Sequence, residues 1–283
     1  MPSHLEAAIE IAREAGALLA AYFERRVPFE LKGEFDLVTE ADRASEKLVV
    51  ERLQSRFPQH GIVAEEGGGH TSPSEYRWYV DPLDGTTNFA HSFPIFNVTL
   101  ALERAGEMVV GVVFDPIRQE MFTAERGSGA WLHDGLNDGQ NNRRIGVSSV
   151  SRLDSSLLCT GFPTRRRHLS VNVHFYHQLA MATHGVRRTG SAAIDLAWVA
   201  CGRLDGFWEF GLKPWDMAAG RLLVAEAGGR VSDMHGRPHD FDSPHLLADN
   251  GHLHEQIVEI FGEVFEGRYR VPLPVISRSS DSA

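Results

Sequence analysis

Apolar residues recur at Leu5, Ile9, Ala12, Gly16, Leu19 and Phe23, in steps of four and three. That spacing puts them on one face of an amphipathic helix. The turn-rich segment LKGEFDLVTEAD follows as a loop and runs into a second helix. Thr39 has the chemistry of its N-cap, and Asp42, three residues on, that of a capping-box partner. Leu48, Val49, Leu53 and Phe57 give this helix its apolar contacts, and Pro58 ends it.

The pattern then shortens. GIVAEE, RWYVD, FNVTLALE, MVVGVVFD and EMFTAE are brief, rich in β-branched and aromatic residues, and divided by turns, which predicts strands. Residues 133–144, HDGLNDGQNNRR, have no periodicity and read as an exposed loop. Beyond them the elements alternate. SSLLCTG reads as a strand, VNVHFYHQLAMATHG and SAAIDLAWVACG as helices, LDGFWEF as a strand and DMAAGRLLVAEAGG as a helix. HLLADN is a short strand, and a last helix covers about 252–265. Strands first and alternation later predict an α/β layered sandwich. Two lobes, roughly 1–145 and 146–275, would form one domain, with a disordered tail at 276–283.

Composition narrows the class. Apolar residues make up 42% of the 283, as in an ordinary globular chain. The formal charge of -10 disfavours nucleic acid unless a basic face is segregated. Arg143-Arg144, Arg165-Arg166-Arg167 and Arg187-Arg188 are short clusters that suit solvated loops or local carboxylate partners. No segment approaches the roughly 20 apolar residues of a membrane span, and the acidic N-terminus does not read as a signal peptide. A cytoplasmic protein is expected, with Cys159 and Cys201 buried and reduced.

Carboxylates stand out in four places: Glu65-Glu66 before three glycines, Asp81-Pro82-Leu83-Asp84-Gly85-Thr86 after an apolar strand, Trp215-Asp216 opening a helix, and Asp36 to Asp42. In the second, Pro82 and Gly85 predict a tight turn that folds Asp84 back near Asp81 and frees the Leu83 carbonyl. Such an oxygen-rich site suits a hard cation. The amides of Gly85 and Thr86, at a helix start or nest, would face an anion such as phosphate. The bland alternative is a surface turn, with Asp216 as an N-cap and Asp42 as a capping-box carboxylate. Four converging carboxylates would repel unless multivalent cations neutralise them. Zinc-type spacing, a P-loop and a dinucleotide fingerprint are all missing from the sequence.

These segments together resemble the inositol monophosphatase family. DPLDGTTNF is similar to its central metal motif, PWDMAAGRLLVAEAGG to its C-terminal WDxAAG motif, DLVTEAD to its D-x-V-T-x-x-D pattern and AEEGG to its GEE segment. The resemblance implies the α-β-α-β-α sandwich shared with fructose-1,6-bisphosphatase, a homodimer, and two or three Mg2+ ions. It implies Glu65, Asp81, the Leu83 carbonyl, Asp84 and Asp216 as metal ligands. Asp42 would pair with Thr86, and with Glu65 they would orient and deprotonate the attacking water. Gly85 and Thr86 would contact phosphate, Gly190, Ser191 and Ala192 would line the pocket with Asp216, and Glu209 would face inositol hydroxyls. The implied activity is hydrolysis of myo-inositol 1-phosphate or a related polyol monophosphate by in-line attack of metal-activated water, with lithium sensitivity. Histidinol-phosphatase, fructose-1,6-bisphosphatase and nucleotide phosphatase are the alternatives with the same metal kit. An accessory protein of RNA or the transcription machinery is the alternative from another class. Ala64 in place of the usual glycine, the long 133–144 segment, and Lys213-Pro214 before the WD pair depart from the family pattern without removing a ligand.

Overall fold

The structure, a computed structural model, describes residues 3–25, 28–33, 36–134, 141–163 and 167–274. The expected tail 276–283, residues 135–140 and the pair Arg165-Arg166 lie outside the described residues.

Five layers stack as helices, sheet, helices, sheet, helices, which is the expected α-β-α-β-α sandwich. The outer layer holds α1 (His4–Arg25) and α2 (Glu40–Arg56). Ile11, Ala15 and Leu19 of α1 pack with Val49 and Leu53 of α2 against Val98, Leu100, Val112 and Phe114 of the first sheet. Burial of each such large side chain contributes about 1.5–3 kcal/mol.

The first sheet has seven strands in sequence order: β3 (Gly61–Ala64), β4 (Tyr76–Asp84), β5 (Asn97–Arg104), β6 (Glu107–Asp115), β7 (Glu120–Glu125), β8 (Gly129–Asp134) and β9 (Asn141–Ile145). Only β3 and β4 run parallel; the others are antiparallel neighbours. Both faces are covered by helices. Val98, Leu100 and Leu102 face α1 and α2, while Ala101 and Val113 face the central layer, so the middle strands read as largely apolar runs rather than alternating ones.

The central layer is α5 (Ala192–Ala200) and α6 (Pro214–Glu226). The second sheet has the order β11 (Gly185–Arg187), β10 (Leu157–Thr160), β12 (Gly206–Phe210), β14 (His245–Asp249), β13 (Arg230–Ser232). On its far side α4 (Asn172–Ala182) and α7 (His254–Phe265) bury Phe175, Leu179, Ile257 and Phe261 against Trp208 and Leu247.

Three expectations need correction. The segment LKGEFDLVTEAD is not a loop, because β1 (Phe29–Gly33) and β2 (Asp36–Thr39) pair there as an antiparallel ribbon. The 133–144 segment is not wholly a loop either. His133 and Asp134 end β8, and Asn141 to Arg144 belong to β9, whose ladder with β8 needs no apolar residues. Nor do Asp81 to Asp84 form a tight turn. They continue β4, with Asp81 opposite Thr99 and Asp84 opposite Asn97, so Pro82 and Leu83 are accommodated as an irregularity. Pro82 lacks the N–H a regular ladder requires, and a bulge absorbs it.

Candidate active site

The site gathers where the C-terminal end of β4 meets the start of α2 and the N-terminal ends of the central helices. Thr39 caps α2: its Oγ1 accepts from the Ala41 N–H at 3.1 Å, and Asp42 Oδ2 accepts from the Thr39 N–H at 2.7 Å. Asp42 therefore is the capping-box carboxylate the sequence suggested. It also does something else. Its Oδ1 accepts from Thr86 Oγ1 at 3.0 Å. Burial raises the Asp42 pKa, and the Thr39 and Thr86 donors oppose that rise. The Asp36 side chain falls outside the described residues.

Gly85 precedes the short helix α3 (Thr86–Ala90) with φ 97°. A side chain there would meet the Ile95 carbonyl at 2.9 Å, so both the left-handed backbone and the space demand glycine. Thr86 Oγ1 also lies 3.1 Å from the Leu83 carbonyl oxygen.

Asp81 is buried, and its Oδ1 accepts from the Leu83 N–H at 3.0 Å. Burial pushes its carboxyl well above the usual range, and Glu65, Asp84 and Asp216 push it further. The pKa of Asp84 is also raised by burial, but three donors on Oδ2 hold it back: Asn97 Nδ2 at 2.9 Å, Ser191 Oγ at 2.7 Å and the Ala193 N–H at 2.8 Å. Asp216 is not the N-cap of α6. Pro214 and Trp215 already lie in the helix, so Asp216 sits one turn in and reaches back to the Lys213 N–H at 2.7 Å. Burial raises it well above the usual range, and Asp84 and Glu65 add to the rise. Glu65 follows β3, with its N–H 3.3 Å from the Val80 carbonyl.

Ser191 precedes α5, yet its hydroxyl does not cap that helix. It donates to Asp84 instead and accepts from Asn97 Nδ2 at 2.9 Å. The Asp84 carboxylate thus takes the place of a cap, facing the amides of Ala192 and Ala193. Gly190 has φ 85°, and the preceding Thr189 carbonyl accepts from Asn88 Nδ2 at 2.8 Å. Glu209 lies on β12. Burial raises its carboxyl well above normal, with Asp195, Asp216 and Asp84 adding, and Arg188 is the cation that opposes them. A Cβ on Gly161 would stand 2.0 Å from Glu209 Oε2, so glycine makes the room this carboxylate occupies.

Asn97, Asn88 and Asp195 escaped the sequence reading. Asp195 accepts from Thr189 Oγ1 at 2.7 Å, and burial pushes it up to about 7. Asn88 was present in the DGTTNF motif, but of its two carbonyl partners, Ile95 and Thr189, the second lies 101 residues away. Asn97 stands at the start of a strand with nothing local to mark it.

Comparison with known proteins bears on this arrangement. A model of the inositol monophosphatase family matches residues 2–266. The chain belongs to the inositol monophosphatase family. It is 46% identical over 264 residues to the inositol-1-monophosphatase of Synechocystis sp., covering 90% of this chain and 89% of that one. It is 45% identical over 258 residues to Nus factor SuhB of Pseudomonas aeruginosa, covering 88% and 92%. Among solved structures it resembles the extragenic suppressor protein suhB of Bartonella henselae, with a TM-score of 0.84 at 40% identity over 90% of this chain and 97% of that one. As a member of this inositol monophosphatase family, the chain is a phosphoric monoester hydrolase. The family is magnesium-dependent, and the donor chemistry here fits such an ion. Glu65 and Asp84 raise the pKa of both Asp81 and Asp216, and Asp216 raises that of Asp81, as oxygen donors sharing one field do. Among the described residues no three such side chains close into a ready-made cage. Asp81, Asp84 and Asp216 each accept a backbone N–H, from Leu83, Ala193 and Lys213 respectively. No helix of the described residues is long and apolar enough to cross a membrane.

Proposed function

We propose that this phosphatase hydrolyses myo-inositol 1-phosphate or a related polyol monophosphate. Glu65, Asp81, the Leu83 carbonyl, Asp84 and Asp216 would hold two or three Mg2+ ions. Those ions, when bound, supply the positive charge that activates water and stabilises the leaving alkoxide. The chain's own groups do the positioning. Asp42 accepts the Thr86 hydroxyl proton, which turns the Thr86 Oγ lone pairs toward a water. Glu65 is the carboxylate that takes the water's proton. Gly85 and Thr86 offer backbone N–H groups to the phosphate, and Gly190, Ser191 and Ala192 form the opposite wall with Asp216. Attack is in line, without a covalent phosphoenzyme.

The observation that carries the substrate class is Glu209. Its carboxyl shares the field of Asp84 and Asp216, and Gly161 clears the space it fills. A carboxylate so placed can accept from two hydroxyls of a polyol whose phosphate lies on the metal side. A panel of phosphomonoesters assayed with Mg2+ tests this. Inositol 1-phosphate should rank among the best, and a preference for histidinol phosphate or fructose 1,6-bisphosphate over every inositol phosphate sinks the claim. The same reading has one domain of two lobes, residues 1–145 and 146–275, a homodimer, and a cytoplasmic location.

A second reading draws on the SuhB relative's name as a Nus factor. Contact with RNA or the transcription machinery would use the arginine clusters, of which Arg143-Arg144 is exposed on β9. A salt-sensitive shift of RNA by the metal-free protein supports it; no shift at low salt removes it.

A further inference from the structure

Asp42, Ser45 and Glu46 lie at i, i+3 and i+4 on α2, so they share one face of that helix. All three are buried, at 0%, 0% and 5% exposure. Polar side chains so withdrawn from water need partners. Each of these finds its partner in a different segment of the candidate site. Asp42 accepts from Thr86. Ser45 Oγ donates to the Pro82 carbonyl at 2.8 Å, between Asp81 and Leu83. Glu46 uses both oxygens: Oε2 accepts from the Glu66 N–H at 2.7 Å and Oε1 from the Gly68 N–H at 2.8 Å.

The Glu46 contact is built on both sides. A Cβ on Gly68 would stand 2.7 Å from Glu46 Oε1, so the carboxylate reaches that amide only because residue 68 is glycine. Glu65 is consequently held between two anchors. Its own N–H faces the Val80 carbonyl of β4, and the next residue's N–H is held by α2.

We propose that Ser45 and Glu46 are positioning residues, and that this face of α2 sets the Glu65 loop and the Asp81–Asp84 bulge in register for metal binding. This rests on the metal site proposed above. Glu46 touches no substrate and acts through the backbone on either side of the loop's glycines. A partner one layer behind a ligand typically changes metal affinity by about 10–100-fold when removed.

The test uses the full chain with Glu46→Gln, Ser45→Ala, Gly68→Ala and, as a control on the exposed side of the same helix, Glu51→Gln. Gly68→Ala displaces the carboxylate from the solvent side and leaves α2 untouched, so it serves if Glu46→Gln folds poorly. Two readouts are taken: amide hydrogen exchange at residues 66–68 in the metal-free protein, and calorimetric binding of Mg2+. Glu46→Gln and Gly68→Ala should speed exchange at Glu66 and Gly68 and weaken Mg2+ by about tenfold or more. Ser45→Ala should weaken Mg2+ without changing that exchange, and Glu51→Gln should leave both as in the wild type. Faster exchange with wild-type Mg2+ affinity overturns the proposal, as does unchanged exchange in both loop variants. If the wild type itself neither binds Mg2+ nor hydrolyses a phosphomonoester, the metal-site reading falls instead, and the exchange data still decide whether Glu46 clamps the loop.

Discussion

Thr86 Oγ1 donates to Asp42 Oδ1 across 3.0 Å, joining residues 44 positions apart. The other oxygen of Asp42 accepts from the N–H and the hydroxyl of Thr39, at 2.7 and 2.6 Å. One carboxylate thus caps a helix with one oxygen and orients a hydroxyl with the other. The capping box and the Thr86–Asp42 hydrogen bond coexist, since neither oxygen has to leave its partner for the other bond to form.

Thr86→Ala should therefore lower kcat and leave KM nearly unchanged. Water positioning is felt mainly in the transition state, and loss of a general acid–base group costs about 10²–10⁴-fold. Steady-state kinetics on the preferred phosphomonoester measure the split. A rise in KM alone would make Thr86 a substrate contact.

Asp81→Asn and Asp84→Asn should each cost orders of magnitude in kcat with the fold retained. Their effect on stability has a definite sign. The folded pKa of Asp81 is raised by burial and by its carboxylate neighbours. Such a group favours folding below its unfolded pKa, and that contribution is lost as pH rises through the folded value. Above its unfolded pKa, neutral pH included, Asp81 therefore destabilises the metal-free protein relative to acid pH. Thermal melts in chelator should show Asp81→Asn more stable than the wild type, and Mg2+ should stabilise the wild type but not the variant. Near-normal Mg2+-dependent turnover in Asp84→Asn would refute the ligand assignment.

His239 gives the opposite pH sign. Burial and Arg221 push it down to about 4, and neither ring nitrogen has a partner among the described residues. Arg221 packs over the Phe241 ring at 4.9 Å and donates to the His239 carbonyl at 2.8 Å, which holds this loop on α6. A histidine with a lowered folded pKa contributes full stability above its unfolded value. That stability is lost as pH falls from about 6.5 toward 4. Urea unfolding of wild type and His239→Gln at pH 7 and pH 5 should show the wild type losing about 1 kcal/mol relative to the variant, after allowance for partial exposure. Parallel curves would mean that His239 protonates freely in the folded state.

The layers were legible because most helices and central strands carry their own periodicity. β9 reads NNRRI and β13 reads RVS, too short or too polar to announce a strand, and each takes its register from a neighbour. The acidic segments were legible because each is a contiguous motif. What was not legible is what holds them. Ser191 and Asp84 are 107 residues apart, and their bond exists only once α5 is docked on the first sheet. The Asp81–Asp84 segment misled for a similar reason. Proline and glycine around two aspartates suggest a free turn, and pairing with Thr99 and Asn97 on β5 stretches it into a bulge.

The proposed polyol specificity rests on Glu209 and Gly161. If the Glu209 carboxylate accepts from polyol hydroxyls, two different changes should weaken inositol 1-phosphate in the same way. Glu209→Gln removes the charge that makes such bonds worth roughly 1.5–3 kcal/mol. Gly161→Ala keeps the carboxylate but forces it aside, because the new methyl would sit 2.0 Å from Oε2 and 2.2 Å from Cδ. Both should raise KM for inositol 1-phosphate by about tenfold or more and spare phosphomonoesters without a neighbouring hydroxyl. The pairing separates this role from a merely local one. Were Glu209 only a counter-charge to Arg188, the cation that lowers its pKa, both variants would disturb every substrate alike. Kinetics on inositol 1-phosphate beside a simple alkyl phosphate, for both variants, tell the two apart. A uniform loss removes the polyol assignment and leaves the acidic cluster of Glu65, Asp81, Asp84 and Asp216 as the centre of a phosphatase with a different substrate.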